Sequence, residues 1–187
     1  MQREEKIKKI TEKYSSPPDA GNERDEYFMR CALELAEAAA EEDEVPVGAV
    51  VVRYGAVVAA DYNGREGKKN ALYHAETAAI ARACAKLGGW RLPGCEIFVT
   101  LEPCAMCAGA ILNARIERTV VGARDPKYGA FGSVADLGDL PLGHRTKLAE
   151  GVLAGESAAL LRRFFAGKRE KKETPVVFPA DPGSALV

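Results

Sequence analysis

The sequence lacks any long apolar stretch. No uninterrupted run approaches the roughly 20 residues of a membrane-spanning helix, and residues 1–6 lack the apolar segment of a secretory signal. An excess of charge of one sign is also missing, because 26 Lys and Arg nearly balance 27 Asp and Glu, for a formal net charge of −1. We therefore expect a cytoplasmic protein with no membrane partner, whose binding of any polyanion depends on a local basic patch.

Cysteine is sparse and unevenly spaced, with five residues in 187. A reducing compartment keeps thiols free, so the close pair Cys104 and Cys107 indicates metal or redox chemistry rather than a structural disulfide. Cys31 and Cys84 are interpreted as core residues, and neither Cys84 nor Cys95 has a partner at a useful spacing.

Length and composition predict one folded domain between two tails. A chain of 187 residues with 47% hydrophobic residues suits a single continuous core. Residues 1–24 are charged and end in a Pro- and Gly-containing stretch, which predicts a flexible N-terminal extension. The folded domain is expected over residues 25–167. Residues 168–187 are basic and then Pro-rich, which predicts a disordered tail.

Hydrophobic periodicity within the domain alternates between helix and strand patterns. The predicted helices are 25–43 with Asp25 as N-cap, 74–87, 103–115 and 156–166; the predicted strands are 47–53, 56–60, 95–101 and 118–122. Residues 123–147 are expected to be irregular, with a composition that suits a binding loop. The alternation argues for an α/β fold with a layered sheet.

Two short motifs carry the chemistry: His74-Ala75-Glu76 and Pro103-Cys104-Ala105-Met106-Cys107. Together they match the signature of zinc-dependent base deaminases. Cysteines at i and i+3 share a helix face, and a helix N-terminus favours the thiolate form that binds zinc. With the imidazole of His74, three ligands leave a fourth tetrahedral position for water, which is the mark of a catalytic zinc site.

Glu76 is the candidate base beside that metal. Two thiolates cancel the charge of Zn²⁺, so the metal acidifies its water weakly, and a nearby carboxylate becomes useful for moving protons. Because residues two apart point to nearly opposite sides of a helix, His74 and Glu76 can meet one metal only near a helix start. A structural zinc site would want a fourth ligand, and a redox pair would have no use for Glu76.

Residues 25 to about 170 resemble the bacterial tRNA adenosine deaminase family, of the cytidine deaminase-like fold. The resemblance implies a three-layer α/β/α fold with a central mixed five-stranded sheet, one Zn²⁺ per chain, and a homodimer. It implies hydrolysis of adenosine to inosine at the wobble position of a tRNA anticodon. The stretches that carry it, besides the two motifs, are 44–50, 89–92, 99–110, 121–127, 132–133, 144–145, 151–153 and 164–165.

The resemblance also assigns roles to individual residues. It implies zinc ligation by His74, Cys104 and Cys107, and proton transfer by Glu76. It further implies four substrate contacts, which are Val47 in the base pocket, Asn63 on the flipped nucleoside, Asp125 on the backbone or sugar, and Phe165 on neighbouring anticodon bases.

Three positions depart from the family pattern: Tyr73, Phe131 and Gly143, all in loops expected to line the substrate. The basic stretch from Arg162 to Lys172 surrounds Phe164 and Phe165, and it is the best local candidate for contact with an anticodon stem-loop. The near-neutral charge and Tyr73 leave open a deaminase of a free base or nucleoside, such as guanine or cytosine. A non-catalytic zinc or RNA-binding protein is disfavoured by the presence of Glu76.

Overall fold

The structure, a computed structural model, describes residues 2–173. Its helices are α1 (Arg3–Glu12), α2 (Asn22–Glu41), α3 (Arg65–Lys68), α4 (Ala75–Leu87), α5 (Ala105–Asn113) and α6 (Ala154–Glu173). Its strands are β1 (Gly48–Arg53), β2 (Ala56–Tyr62), β3 (Cys95–Leu101), β4 (Arg118–Ala123) and β5 (Lys147–Ala149). The predicted C-terminal tail, 168–187, begins inside α6, and its part beyond Glu173 lies outside the described residues.

The five strands form one mixed sheet in the order β2-β1-β3-β4-β5. The hairpin predicted from the sequence is present, since β1 pairs antiparallel with β2, and β1 also pairs antiparallel with β3. The β3–β4 and β4–β5 pairs are parallel, and α5 connects β3 to β4. Parallel neighbours need such a crossover because the chain must return to the same end of the sheet.

Helices cover both faces of the sheet. Along β1, Ala49 and Val51 pack into the core beneath α4 and α5, whereas Val50 and Val52 pack into the core beneath α1 and α2. Because both faces are buried, the strand is an unbroken apolar run rather than an alternating one. The predicted three-layer α/β/α fold with a mixed five-stranded sheet is confirmed. Within residues 2–173, no helix combines the length and apolar character needed to cross a bilayer.

The N-terminal extension differs from the sequence prediction of a flexible segment over 1–24. Residues Arg3–Glu12 form a helix that buries Ile7 and Ile10 against the α2 side of the core. The charged composition gave no indication of this helix, because only two apolar residues, three positions apart, pack it against the core. The domain boundaries predicted at residues 25 and 167 stay a prediction.

Helix α2 also begins earlier than expected, at Asn22. Asp25, predicted as its N-cap, lies in the first turn, where it accepts a hydrogen bond of 2.7 Å from Nη1 of Arg118. The carboxylate therefore joins α2 to the start of β4 instead of capping the helix.

Strand β5 begins at Lys147, the last residue of the segment predicted to be irregular, and the residue pattern predicted no strand there. It has three residues and pairs only with β4 among the described strands, through partners such as Leu148 with Thr119. Three residues are too few for a periodicity signal, so only the family resemblance implied a fifth strand.

Gly48 is the point where α2 rests directly on β1. A Cβ atom there would lie 2.1 Å from the carbonyl oxygen of Ala32 and 2.8 Å from the backbone nitrogen of Ala36. Since both obstacles are helix backbone, we expect Gly48→Ala to lower the free energy of unfolding by roughly 3 kcal/mol, at the upper end of overpacking effects. Urea unfolding followed by circular dichroism measures this change.

Gly109 is the matched control, since it is a helix-interior glycine of α5 whose added Cβ would meet no atom within 4 Å. Gly109→Ala should raise the free energy of unfolding by about 0.5–1 kcal/mol through helix propensity alone. Equal stability of the two variants would contradict the direct seating of α2 on β1.

Candidate active site

The two sequence motifs meet at the N-termini of two helices. His74 occupies the N-cap of α4 with extended backbone angles, and Cys104 occupies the N-cap of α5, with Cys107 in its first turn. The Nδ1 atom of His74 lies 3.8 Å from Sγ of Cys104 and 3.6 Å from Sγ of Cys107. All three ligand atoms lie within 4.8 Å of one another.

These separations fit a tetrahedral zinc ion. With Zn–N distances of about 2.0–2.1 Å and Zn–S distances of about 2.3 Å, a tetrahedral angle separates nitrogen from sulfur by about 3.6 Å. Both nitrogen–sulfur separations are therefore close to those around a zinc ion, and the cluster offers three possible ligands, the number found in catalytic zinc sites.

The two cysteines differ in their readiness to ionise. A hydrogen bond from the Cys107 thiol, followed by one from His74, lowers the pKa of Cys104 to about 4, despite its partial burial. The same proton sharing and the burial of Cys107 raise the pKa of the second thiol. The start of α5 thus favours the thiolate form at Cys104, and metal binding would release the protons that remain on the ligands.

Glu76 lies in the first turn of α4 and is buried, with 4% of its surface exposed. Burial raises the pKa of this carboxyl group, and the negative charge of Cys104 adds to the shift. Because His74 precedes the first helical residue, the helical repeat does not set the direction of its side chain. Within the helix, that repeat would point His74 and Glu76 to nearly opposite sides. The sequence prediction that both residues stand at a helix start therefore agrees with the structure.

A cleft of about 750 Å³ opens over these residues. It is lined by His74, Glu76 and Cys104 together with all four residues that the resemblance assigns to substrate, which are Val47, Asn63, Asp125 and Phe165. Cys107 is fully buried beneath the floor. The fold thus gathers into one cavity residues that are spread over 119 positions of the chain, from Val47 to Phe165.

Asn63 is oriented by Glu44, a role that the sequence alone did not indicate. Its side-chain nitrogen donates to Oε2 of Glu44 at 3.2 Å, and Oε1 of Glu44 accepts from the backbone of Gly67 at 2.7 Å. The backbone nitrogen of Asn63 donates to the carbonyl of Val47 at 2.9 Å. Glu44 belongs to the stretch that carried the resemblance, but its partners lie too far along the chain for spacing to indicate them.

Glu102 was missed for the same reason. Its buried carboxylate accepts backbone hydrogen bonds from Asp125, Phe131 and Ser133 at 3.0–3.1 Å, and one from the Ser133 hydroxyl. Burial opposes its charge, but these donors prevail and hold the pKa of Glu102 below its ordinary value. One carboxylate therefore shapes the loop that carries Asp125 to the cleft.

The carboxylate of Asp125 is partly engaged within its own loop. Its Oδ1 accepts hydrogen bonds from the backbone nitrogens of Lys127 at 2.9 Å and Tyr128 at 3.1 Å. This local turn brings further side chains to the cleft wall, where the lining also includes Arg65, Arg124, Lys127 and Tyr128. The residue pattern predicts a basic patch in the C-terminal helix but not these cations, because nothing in their spacing indicates that they share a wall.

None of the three residues that depart from the family pattern lines the described cleft, and their contact with a substrate stays a prediction. The hydroxyl of Tyr73 donates to Oδ2 of Asp61 at 3.2 Å, beside α1. Phe131 is buried in the core beneath α4 and α5. Gly143 has a positive φ of 76° in an exposed turn near Arg115.

Comparison with known proteins places this site in a class. Residues 22–123 match the family described as the cytidine and deoxycytidylate deaminase zinc-binding region, a class of zinc-dependent deaminases. The tRNA-specific adenosine deaminase of Bacillus subtilis is 42% identical over 151 residues, which are 80% of this chain and 94% of that protein. The protein of the same description from Agrobacterium fabrum is 46% identical over 144 residues, 76% of this chain and 95% of its own length.

Solved structures of deaminases share the fold of this chain. One from a study of A-to-I editing by tRNA:A34 deaminases superimposes with a TM-score of 0.70 at 46% identity, covering 72% of this chain and 99% of that chain. Guanine deaminase from Nitrosomonas europaea superimposes with a TM-score of 0.69 at 28% identity, covering 86% and 92%. The chain belongs to the tRNA-specific adenosine deaminase family of zinc-dependent deaminases, and zinc is its cofactor.

Proposed function

We propose that this protein hydrolyses adenosine to inosine at the wobble position of a tRNA anticodon. The proposal rests on one observation. A His-Cys-Cys cluster and a buried glutamate lie at a cleft whose lining includes cations and aromatic rings. The relatives described as tRNA-specific adenosine deaminases support the choice of substrate. Such a substrate favours action in the cytoplasm, where the protein works as the homodimer we expect from its family.

We assign the metal to His74 Nδ1 and the sulfurs of Cys104 and Cys107, one zinc per chain. Bound there, zinc would supply Lewis-acid chemistry that lowers the pKa of a water molecule. Both cysteines serve as thiolates, for which the low pKa of Cys104 prepares the site.

Glu76 moves the protons in this proposal. It accepts a proton from the attacking water, delivers it to N1 of the purine, and then passes the second proton of water to the amino group that leaves C6. The water oxygen becomes the C6 carbonyl oxygen, the C6–N bond breaks, and the nitrogen leaves as ammonia. A buried carboxyl with a raised pKa suits this work, because it holds a proton more readily than an exposed one.

The cleft walls hold the nucleotide. Asn63, fixed by Glu44, donates or accepts at the flipped nucleoside, and Val47 packs against the base. Asp125 contacts the sugar or backbone. Phe165 is 44% exposed on the cleft and lies edge-to-face with Phe164, so its ring is available for stacking on an unpaired neighbouring base.

The cations along the cleft distinguish a nucleic-acid substrate from a free base. Arg65, Arg124 and Lys127 line the cleft, and Arg162 and Arg163 are exposed beside Phe165. A small neutral purine offers these cations no phosphate, whereas an anticodon loop offers several. The side chains of Lys171 and Lys172 in the predicted basic stretch lie outside the described residues.

Deamination of free guanine is the second candidate, favoured by the similarity to the guanine deaminase structure.

Ammonia release from defined substrates tests the proposal. We expect zinc-loaded protein to deaminate an anticodon stem-loop with adenosine at the wobble position, and to leave the same stem-loop with adenosine elsewhere in the loop unchanged. Free adenosine, guanine and cytosine, at equal concentration, should be turned over at least ~100-fold more slowly, because they lack the flanking contacts that offset the cost of flipping. Faster turnover of guanine than of the stem-loop would establish the second candidate.

Salt dependence gives an independent prediction. The ratio kcat/KM for the stem-loop should fall as salt rises from 50 to 200 mM, because each phosphate contact releases counterions. Lys127→Ala, which removes a cation from the cleft wall, should lower kcat/KM and flatten this dependence. Lys86→Ala is the matched control, since Lys86 stands at the far end of α4 from His74 and should leave the slope unchanged. A slope that is the same in all three proteins would argue against phosphate contacts at Lys127.

A further inference from the structure

Helix α1 precedes the matched deaminase region, yet it contacts the segment that carries Asn63. Arg3 donates from Nε and Nη2 to Oδ1 of Asp61 at 2.9 and 2.7 Å, and Nη2 also donates to the carbonyl oxygen of Tyr62. The carbonyl oxygen of Asn63 lies 3.4 Å from the same Nη2. With 11% of its side chain exposed, Arg3 is almost enclosed against the end of β2.

Arg3 also covers the place where the loop from Asn63 to Tyr73 closes on itself. The backbone nitrogen of Gly64 donates to the carbonyl oxygen of Tyr73 at 3.2 Å, and the guanidinium carbon lies 5.2 Å from the centre of the Tyr73 ring. A Cβ atom on Gly64 would lie 3.0 Å from Nη1 of Arg3 and 3.1 Å from the Tyr73 ring. The residue after Tyr73 is His74, so the closed loop adjoins the His-Cys-Cys cluster.

The side chain of Asn63, in contrast to its backbone, is held by Glu44. Glu44 follows the end of α2, where Lys6 of α1 pairs with Glu41 and Glu42 at 3.2 Å. Helix α1 is thus attached next to the backbone of Asn63 and next to the residue that holds its side chain. Removal of the α1 contacts should therefore disturb Asn63 more than the distant parts of the cleft.

We propose that Arg3 is a positioning residue, which fixes the backbone at Asn63 so that the Asn63 amide meets the substrate in one orientation. The inference rests on the proposed function, in which Asn63 holds the flipped base. Arg3 itself does not line the described cleft, so any effect on turnover must pass through the loop that it holds.

Removal of Arg3 should not unfold the protein. Asp61 is fully buried, but it retains the hydrogen bond from Nε of Arg82 at 2.6 Å and those from Tyr73 and Tyr62. The ion pairs of Lys6 and the burial of Ile7 keep α1 attached. The buried carboxylate therefore keeps a cationic partner, which avoids the large penalty of an unpaired buried charge.

A double-mutant cycle tests the proposal, with kcat/KM measured on whichever substrate the wild type turns over. Arg3→Ala should lower kcat/KM by about tenfold, since a displacement of 1 Å in a site can cost up to about a hundredfold. In an Asn63→Ala background the same change should cost less than about twofold, because the residue through which it acts is gone. Lys9→Ala removes a charge from an exposed position of the same helix and should change neither value.

Arg3→Lys separates positioning from general stability. Lysine can pair with Asp61 but cannot also reach the backbone carbonyls with a planar fork of donors. We therefore expect Arg3→Lys to recover most of the thermal midpoint lost in Arg3→Ala and to leave kcat/KM low. Recovery of both together would mean that Arg3 has a structural role only.

The side-chain amide signals of Asn63 in ¹⁵N-labelled protein provide a measurement that does not need turnover. They are identified by their absence in Asn63→Ala, and they should move in Arg3→Ala and stay in place in Lys9→Ala. Failure of the wild type to deaminate the stem-loop would count against the proposed function alone. Equal losses of kcat/KM in both backgrounds, or unmoved amide signals, would overturn the role of Arg3.

Discussion

Glu76→Gln is expected to lower kcat by several orders of magnitude while the protein keeps its zinc and its fold. The exchange preserves the shape of the side chain but removes its capacity to accept and donate the reacting protons. A single general acid–base contributes roughly 10²–10⁴-fold, and Glu76 is proposed to serve more than one transfer in the same turnover. Single-turnover ammonia release, zinc content by atomic spectroscopy and the thermal midpoint measure the three quantities.

The matched control for this variant is Glu37→Gln, on the exposed face of α2. It should leave kcat, zinc content and stability unchanged. Glu76→Ala should lose as much activity as Glu76→Gln, because the lost proton transfer dominates over any lost packing. A Glu76→Gln enzyme that works within tenfold of the wild type would refute the role of proton shuttle.

Cys107→Ala is expected to abolish zinc binding and to destabilise the protein strongly. Cys107 is fully buried, and its sulfur lies 3.6 Å from Nδ1 of His74, so water cannot easily take its place. Because metal affinity contributes to folding free energy, the wild type should lose thermal stability on treatment with a chelator. The Cys107→Ala protein should start near that lowered midpoint and show no further change with chelator.

Cys84→Ala serves as the control for the loss of a thiol, since Cys84 lies near the opposite end of α4 and is half-buried. It should retain about one zinc per chain and the chelator sensitivity of the wild type. Cys104→Ala should behave like Cys107→Ala. Full zinc occupancy in Cys107→Ala would remove this residue from the ligand set.

Local sequence was enough to predict the elements that meet at the site. The spacing of Cys104 and Cys107 places both sulfurs at the start of one helix, and His74 precedes the first helical residue of another. Both arrangements depend on contacts within a few residues, so they can be derived from helix geometry and capping alone. The residue patterns of 47–53 and 95–101 likewise predicted the strands β1 and β3.

Local sequence could not indicate which distant residues share a wall. Glu44 with Asn63, and Glu102 with the loop around Asp125, are pairs separated by about twenty residues, and their hydrogen bonds exist only after the sheet has formed. The same holds for Lys127 on the cleft, for the three-residue strand β5, and for α1. The charged composition of α1 suggested a flexible segment.

The sequence by itself therefore determined the chemistry of the cluster around His74 and Glu76, because donor type and helix spacing are local properties. Only the tertiary structure decided what surrounds that cluster. Arg3 reaches Asp61 across 58 positions of the chain, and no periodicity encodes such a contact. Burial of Asp61 makes cationic partners necessary, and the packed fold brings two of them, Arg3 and Arg82, to this carboxylate.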